Sequence, residues 1–502
     1  MADTAGCLAE VVARHAADGG DRIAVVDAAG SIGYRELWEL SGAVAAGLLS
    51  VGVGAGAVVT AQLRNRIEAA AVLLGAERVG ALFSPIPHSA GEAELAAMLA
   101  TAAPAVHFAL TGRPVASVGF VVGDVAGAVR WADFLASPAP ARLERGRDEL
   151  THLGFTSGST GAPNGVLHTN HSLLSTVDAY LGRMDLGRDD VFHVPLPVGY
   201  SGGLVFGLRL GLQAGGVVLL QERWDPVLML DLVAGHGATY TTGTPTHVRD
   251  VLAAGPPSAL RSVKVYNCGG DHVPAALVER AVRVLPGVFC RSYGMTECHR
   301  LATTDRDTPL DELLESNGTV QPGMTVRAVD EDGEPLGSGE VGSLEVRGDF
   351  LFAGHLTAGG RPFLRRPPLH DGFYPTGDLG YLTAGGSLAV TGRNKDVIVR
   401  GGAKIPVPAV EAAIMAHPGV MRAALVGAPD ERLGETAVAF VVLRAGVAGL
   451  DLGTLCGFLG DAGIAKRHWP SRLIVVDRLP LTTTGKVRKA VLREQLRELL
   501  RS

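Results

Sequence analysis

The sequence predicts an α/β protein of more than one domain, and three observations carry that reading. Its 502 residues exceed what a single hydrophobic core commonly supports, and 47% of them are apolar, ample material for several cores. In the N-terminal part, short Val/Ile/Leu runs alternate with Ala/Leu/Glu-rich stretches of helical length. After Asp330 the texture changes to brief strand-like runs punctuated by turn residues.

Residues 23–26 read as a strand, 34–49 as a helix, 58–63 as a strand and 68–79 as a helix. That βαβα rhythm predicts a large N-terminal domain of stacked, mostly parallel sheets with helices on both faces. The apolar stretch 204–220 is interrupted by Arg209 and Gln213 and falls short of the roughly 20 residues of a membrane helix. It predicts a buried passage from helix to strand. Pro, Arg and Glu crowd residues 138–149, as in an exposed connector. The turn Asp330-Glu331-Asp332-Gly333, with Gly337, Gly339 and Gly342 after it, predicts a small antiparallel, β-barrel-like subdomain. Helical patterns at 409–416, 452–459 and 487–500 alternate with strand patterns at 421–427, 437–443 and 471–476. They make a compact α+β C-terminal domain of about 100 residues.

The bulk numbers exclude several classes. Charged residues make up 19% of the chain and the net charge is −6, which gives no field for nucleic acid. Cys7, Cys268, Cys290, Cys298 and Cys456 are scattered without a CxxC pair, so neither a disulfide framework nor a zinc site is expected. The first twenty residues carry Asp3, Glu10, Arg14 and Asp18 and lack the apolar run of a signal peptide. A reducing cytoplasm without a membrane span is the expected setting.

The richest segment is Thr156-Ser157-Gly158-Ser159-Thr160-Gly161, after a strand-like 153–155. Small residues admit close backbone approach, and their amides and hydroxyls donate to phosphate oxygens. It is not a Walker A loop, since no GK[ST] follows. Glu297 closes Tyr293-Gly294-Met295-Thr296-Glu297 with a carboxylate, and Asp378 offers two acceptor oxygens. Lys486 sits after Thr484-Gly485 on a flexible loop, where its ammonium is a mobile point charge. Taken singly, each is as well explained by a surface loop, a strand end, a turn aspartate or a basic tail.

In order along the chain, however, the segments form one pattern. Residues 156–165 (TSGSTGAPNG) resemble the phosphate loop TSGSTGxPKG of the acyl-adenylate-forming superfamily, which includes acyl-CoA synthetases, stand-alone adenylation enzymes and luciferases. Residues 293–297 resemble its YGxTE motif and 374–378 its Y[RK]TGD motif. Residues 392–396 with 400–402 resemble its hinge and following strand, and 479–486 its LPxTxxGK motif.

The resemblance implies ATP-dependent adenylation of a carboxylic acid, with Mg2+, and then transfer to the thiol of CoA or of the phosphopantetheine on an acyl carrier protein. By the same resemblance Thr296 contacts the α-phosphate, Glu297 the metal, and Lys486 serves adenylation. Tyr293 and Gly294 pack on adenine, with Gly269, Gly270 and Asp271 on its other face. Asp378 binds the ribose and Arg393 the ribose or phosphate. Lys395 becomes the hinge between an ATP- and acyl-binding domain, 1–394, and a mobile C-terminal domain, 395–502. Gly401 and Gly402 line a pantetheine tunnel. The protein is expected to be a monomer or homodimer.

Two departures matter. Asn164 replaces the usual loop lysine, which predicts weaker or slower ATP use. Residues 195–204 (PLPVGYSGGL) lack the histidine of many acyl-CoA synthetases, and no Asp lies between Pro195 and Leu220 to pair a substrate ammonium. Tyr200, Gly202, Gly203, Thr242, Gly243 and Thr244 are therefore expected to wall an aryl or medium-chain acyl pocket that excludes free α-amino acids. His193, His247 and His299 have no ligand spacing and are expected to be satisfied or exposed. The sequence leaves open a carrier-protein or non-thiol acceptor, or an inactive binding homologue in which Asn164 is the first lesion.

Overall fold

A computed structural model describes residues 5–109, 121–123, 128–135, 145–156, 163–255, 257–356, 364–365, 368–481 and 487–501. Ser157, Gly158, Ser159, Thr160, Gly161 and Lys486 lie outside these. The chain divides into two compact units, Met1–Thr325 with Val346–Tyr374, and Val326–Glu345 with Pro375–Ser502. The small antiparallel section thus groups with the C-terminal segment, and Lys395 falls inside the second unit.

The first unit is built on two sheets. One is nine-stranded, and its central run from Ile23–Asp27 through Val217–Leu220, Val191–Val194, Tyr240–Gly243 and Val265–Gly269 to Val288–Met295 is parallel. Antiparallel strands close both edges: Gly30–Gly33 at one, His299–Thr303 and Thr319–Val320 at the other. The other sheet is eight-stranded, parallel through Val121–Val122, Val106–Phe108, Val58–Ala61, Leu82–Pro85 and Leu150–Thr156, then antiparallel through Asn164–Thr169 and Gly354–Leu356 to Leu364–Arg365. The parallel strands are mostly apolar, and Val58–Ala61 and Leu82–Pro85 are buried at every residue, Thr60 and Ser84 included. Helices Tyr34–Ser50 and Ile67–Arg78 follow strands at the expected places.

The passage 204–220 is a widened π turn Leu204–Arg209, a helix Leu210–Ala214 and a strand Val217–Leu220, nearly all buried. The connector at 138–149 departs from expectation at its end. Arg145 is buried and bonded to Glu149 at 2.8 Å, with its amide donating to Glu10.

In the second unit the barrel-like section is a four-stranded sheet in the order Met324–Val329, Gly342–Gly348, Tyr374–Leu382, Leu388–Arg393, and no closed barrel forms among the described residues. Beyond it, Val420–Asp430 and Gly434–Leu443 form a long antiparallel pair flanked by Ile398–Arg400, Ala403–Ile405 and Arg472–Val475. Helices Val407–Ala416, Leu452–Asp461 and Lys489–Arg501 complete it. Among the described residues no helix is long and apolar enough to cross a membrane.

Candidate active site

The phosphate loop is the connection of a hairpin. Strands Leu150–Thr156 and Asn164–Thr169 pair antiparallel, and their last partners, Thr156 and Asn164, close the intervening loop. Asn164 is exposed. Two residues before the loop, a Cβ on Gly154 would lie 3.1 Å from the Thr296 methyl group. The mouth of the loop and the 293–297 turn therefore meet, as a site that grips phosphate from two sides requires.

That turn joins Val288–Met295 to His299–Thr303. Glycine is obligatory at 294, where a Cβ would sit 1.6 Å from the His299 carbonyl oxygen. Thr296 is held by its carbonyl, which accepts a 2.7 Å hydrogen bond from His168 Nε2. Glu297 is buried, and its carbonyl accepts the Phe352 amide at 2.8 Å. The Tyr374 hydroxyl is pushed up first by burial and then by the neighbouring Glu297 and Cys298.

Gly269 pairs with Ser292, the residue before Tyr293, and a Cβ there would meet Ser292 Oγ at 2.7 Å. Gly270 has φ +81° with open space where a side chain would be, and Asp271 is exposed beside it. A bare backbone shelf beside a tyrosine suits a flat ring.

In the second unit, Asp378 is buried opposite Arg393, whose Nε lies 3.0 Å from its carboxylate, and the Asp378 amide donates to Thr376 Oγ1. Lys395 is tied through its carbonyl to Arg493, which also pairs with Asp396 at 2.6 Å. Gly401 and Gly402, at φ +56° and +82°, make the two-residue turn of a hairpin, a conformation that by itself calls for glycine.

At the expected acyl wall the glycines meet neighbouring protein. A Cβ on Gly203 would strike the Leu196 and Pro197 carbonyl oxygens at 2.3 Å, and one on Gly243 would lie 2.9 Å from His247 Cβ. These glycines admit neighbouring protein; they do not by themselves leave an open slot. Gly202, where a Cβ would lie 2.9 Å from Leu196 Cδ1, sits within the short helix Ser201–Gly203 that Tyr200 caps at its N-terminus. Thr242 is buried and accepts from Asn267 Nδ2 at 3.0 Å, and Thr244 bonds His247 at the start of helix Pro245–Ala254.

Of the three histidines singled out, His193 is satisfied by Thr241 and Gln221, and His247 by Thr244. His299 is neither satisfied nor exposed: it is buried with no partner on either ring nitrogen. It stacks 4.1 Å from His168, which lies 6.2 Å from His152. Burial pushes the His168 imidazole down to about 4 and holds His152 and His299 well below the ordinary value; the charge of Arg209 acts in the same direction on all three. Since a carbonyl only accepts, the neutral His168 ring carries its proton on Nε2, leaving Nδ1 to accept from Ser172 Oγ at 3.0 Å. Behind the cluster, Arg209 pairs with Glu77 at 2.6 Å, both fully buried. This polar core escaped the sequence reading; its only signal was a charged residue inside each of two apolar helical runs.

Residues 12–356 match the AMP-binding enzyme family, and 409–486 match its C-terminal domain. The chain belongs to the AMP-binding enzyme family. It is accordingly an AMP-forming acid–thiol ligase that uses ATP and Mg2+. Among relatives of this AMP-binding enzyme, the medium-chain fatty-acid–CoA ligase of Escherichia coli (strain K12) is 30% identical over 95% of this chain and 88% of that protein. A salicylyl-CoA synthase / salicylate adenylyltransferase of Streptomyces sp is 33% identical over 95% and 91%. The structure of ATP-bound MatB from Rhodopseudomonas palustris matches with a TM-score of 0.88 at 28% identity, covering 98% of this chain and 99% of that one.

Among the described residues no three His, Cys, Asp or Glu are grouped to hold a metal alone. Glu297 fits a magnesium ion that takes its remaining ligands from phosphate and water.

Proposed function

We propose that this enzyme activates an aryl or medium-chain carboxylic acid, not a free α-amino acid, and passes the acyl group to the thiol of CoA. The carboxylate attacks the α-phosphorus of ATP and pyrophosphate leaves; the thiolate then attacks the acyl carbonyl and AMP leaves. The observation that carries the reading is the meeting of Gly154 with Thr296, which brings the phosphate-loop hairpin and the 293–297 turn to one point.

In this reading the loop 156–161, Thr296 and Lys486 neutralise phosphate oxyanions, Tyr293, Gly294 and the Gly269–Asp271 shelf hold adenine, and Asp378 with Arg393 holds the ribose. Glu297 would hold Mg2+, which supplies charge neutralisation on the phosphates when bound. The second half-reaction turns about Lys395 and uses the Gly401-Gly402 turn. The acid class is supported by the absence of an acidic residue between Pro195 and Leu220 and by the acids for which the two relatives are named. A carrier-protein pantetheine is the alternative acceptor.

The test is acid-dependent exchange of labelled pyrophosphate into ATP across an acid panel, followed by CoA or a pantetheinylated carrier with mass detection of product. Exchange with aryl or medium-chain acids and an acyl-CoA product are expected. Exchange with amino acids alone, or none with any acid, would sink the reading.

A further inference from the structure

We propose that Arg300 is the specificity residue of the acyl pocket and that it selects an acid bearing a second carboxylate, so that the preferred substrate is a dicarboxylic acid. The proposal rests on the adenylation reading above and names its substrate class.

Five arginines are buried among the described residues: Arg78, Arg145, Arg209, Arg291 and Arg300. Four of them donate to oxygen. Arg78 reaches the Trp38 carbonyl at 2.7 Å, and Arg145 the Glu149 carboxylate at 2.8 Å. Arg209 pairs with Glu77 at 2.6 Å, and Arg291 reaches the Leu313 and Leu314 carbonyls at 2.8 and 2.7 Å. Arg300 alone has neither a carboxylate nor a hydrogen-bond acceptor, and its Nη1 is buried without a partner. Its guanidinium is clamped between the rings of Tyr180, 3.7 Å from the centroid, and Phe206, 3.8 Å. Such stacking covers the two faces of the cation but supplies no acceptor to the buried Nη1. A buried charge in that condition is costly unless something supplies the anion.

Its position says what supplies it. Arg300 pairs across the hairpin with Gly294 of the nucleotide motif. Phe206 stands three residues after Gly203, at one end of the candidate acyl wall. At the other end, Thr242 bonds Asn267, whose Oδ1 accepts from Ser292 Oγ at 3.0 Å and from the Tyr180 hydroxyl at 3.5 Å. The guanidinium therefore stacks on Phe206, near the Gly203 end of the candidate wall, and on Tyr180, which Asn267 ties to Thr242, from a strand that pairs with the nucleotide motif. A planar fork of donors clamped by aromatic rings is preorganised for a second carboxylate at the far end of the acyl group.

Calorimetric titration without ATP and pyrophosphate exchange with ATP test this together. The probes are linear and benzene dicarboxylic acids, each paired with its monocarboxylic counterpart, against wild type, Arg300→Met and Arg300→Lys. Wild type should prefer the dicarboxylic partner by about 100-fold, or about 2.7 kcal/mol at 1.36 kcal/mol per decade. Arg300→Met, which keeps a flexible apolar chain between the rings, should lose that preference while retaining exchange with monocarboxylic acids, and Arg300→Lys should recover part of it. Equal wild-type affinity for both members of every pair overturns the proposal, as does a preference that survives Arg300→Met. Should Arg300→Met fail to fold, the wild-type ratio and Arg300→Lys decide. Dicarboxylic binding without exchange for any acid would support Arg300 and overturn the adenylation reading instead.

Discussion

Acidification from pH 8 to 5.5 should strip this protein of a large share of its stability. Burial pushes His107, His168 and His193 each down to about 4. All three rings are fully buried. The unfolded chain binds protons on these side chains near pH 6.5, and the folded chain does not until about pH 4. Their contribution is therefore complete above pH 6.5 and is lost progressively as the pH falls toward 4. At pH 5.5 an unfolded histidine gains about 1.4 kcal/mol from protonation that its folded counterpart forgoes, so the three together cost about 4 kcal/mol. His152 and His299, held well below the ordinary value, push the same way. Against a typical total of about 5–15 kcal/mol this is a major loss. Guanidinium unfolding followed by intrinsic fluorescence at pH 8, 6.5 and 5.5 measures it, as a midpoint that drops mainly between the last two. In His168→Gln the amide donates to Thr296 in place of the ring, so activity should persist and the acid loss should shrink by about 1.4 kcal/mol. A midpoint that stays level or rises on acidification would refute the reasoning, because it requires the buried rings to be charged.

Three further outcomes follow from the site. If Asp378 holds the ribose as proposed, Asp378→Asn should raise the KM for ATP by about 10- to 100-fold with unchanged circular dichroism, since one charged acceptor is lost. Lys486→Ala should lower acid-dependent pyrophosphate exchange by at least about 100-fold while transfer from a supplied acyl adenylate to CoA continues; equal loss of both steps would remove Lys486 from its adenylation role. Glu77→Gln should cost about 3–5 kcal/mol in denaturant unfolding, because it leaves Arg209 charged and unpaired in the core.

The periodic elements were legible because their signal is local. The strand expected at 23–26 is Ile23–Asp27, the helix at 452–459 is Leu452–Asp461, and the strand at 437–443 belongs to Gly434–Leu443. The ordered motifs were legible as well, since each is a short contiguous segment. What stayed hidden is built from partners far apart in the chain. Arg209 and Glu77 are separated by 132 positions and His168 and Thr296 by 128, so Arg209 looked like an interruption of an apolar run and the tie from His168 to Thr296 left no local signal. The same holds for Arg300, whose meaning depends on Tyr180 and Phe206 reaching it from two other elements. The acyl-wall glycines are ambiguous for a different reason. A glycine has the same letter whether ligand or protein fills the space, and at Gly203 it is the carbonyls of Leu196 and Pro197.

The buried polar groups treat charge in two ways, and the difference sorts support from selection. Glu77 accepts from Arg209, from the Ala9 amide at 3.0 Å and from Thr151 Oγ1 at 3.4 Å, so one carboxylate pins the N-terminal helix, the loop-bearing strand and the π turn together. On the motif side of that pair the histidines remain neutral, and His168 spends its one proton on the Thr296 carbonyl. Here the Arg209 charge is paired and the three imidazoles are held neutral, as a scaffold that must keep the strand Leu150–Thr156 in register with the 293–297 turn requires. An apolar core would hold the same elements but would specify their register less strictly, since a hydrogen-bonded carboxylate tolerates no sliding. Arg300 breaks the rule on the opposite side of the same turn, charged and without an oxygen. Arg209, although its Nε and Nη2 lack partners, has the Glu77 carboxylate, whereas Arg300, one residue from His299, has no carboxylate, which is why the missing anion is assigned to the substrate.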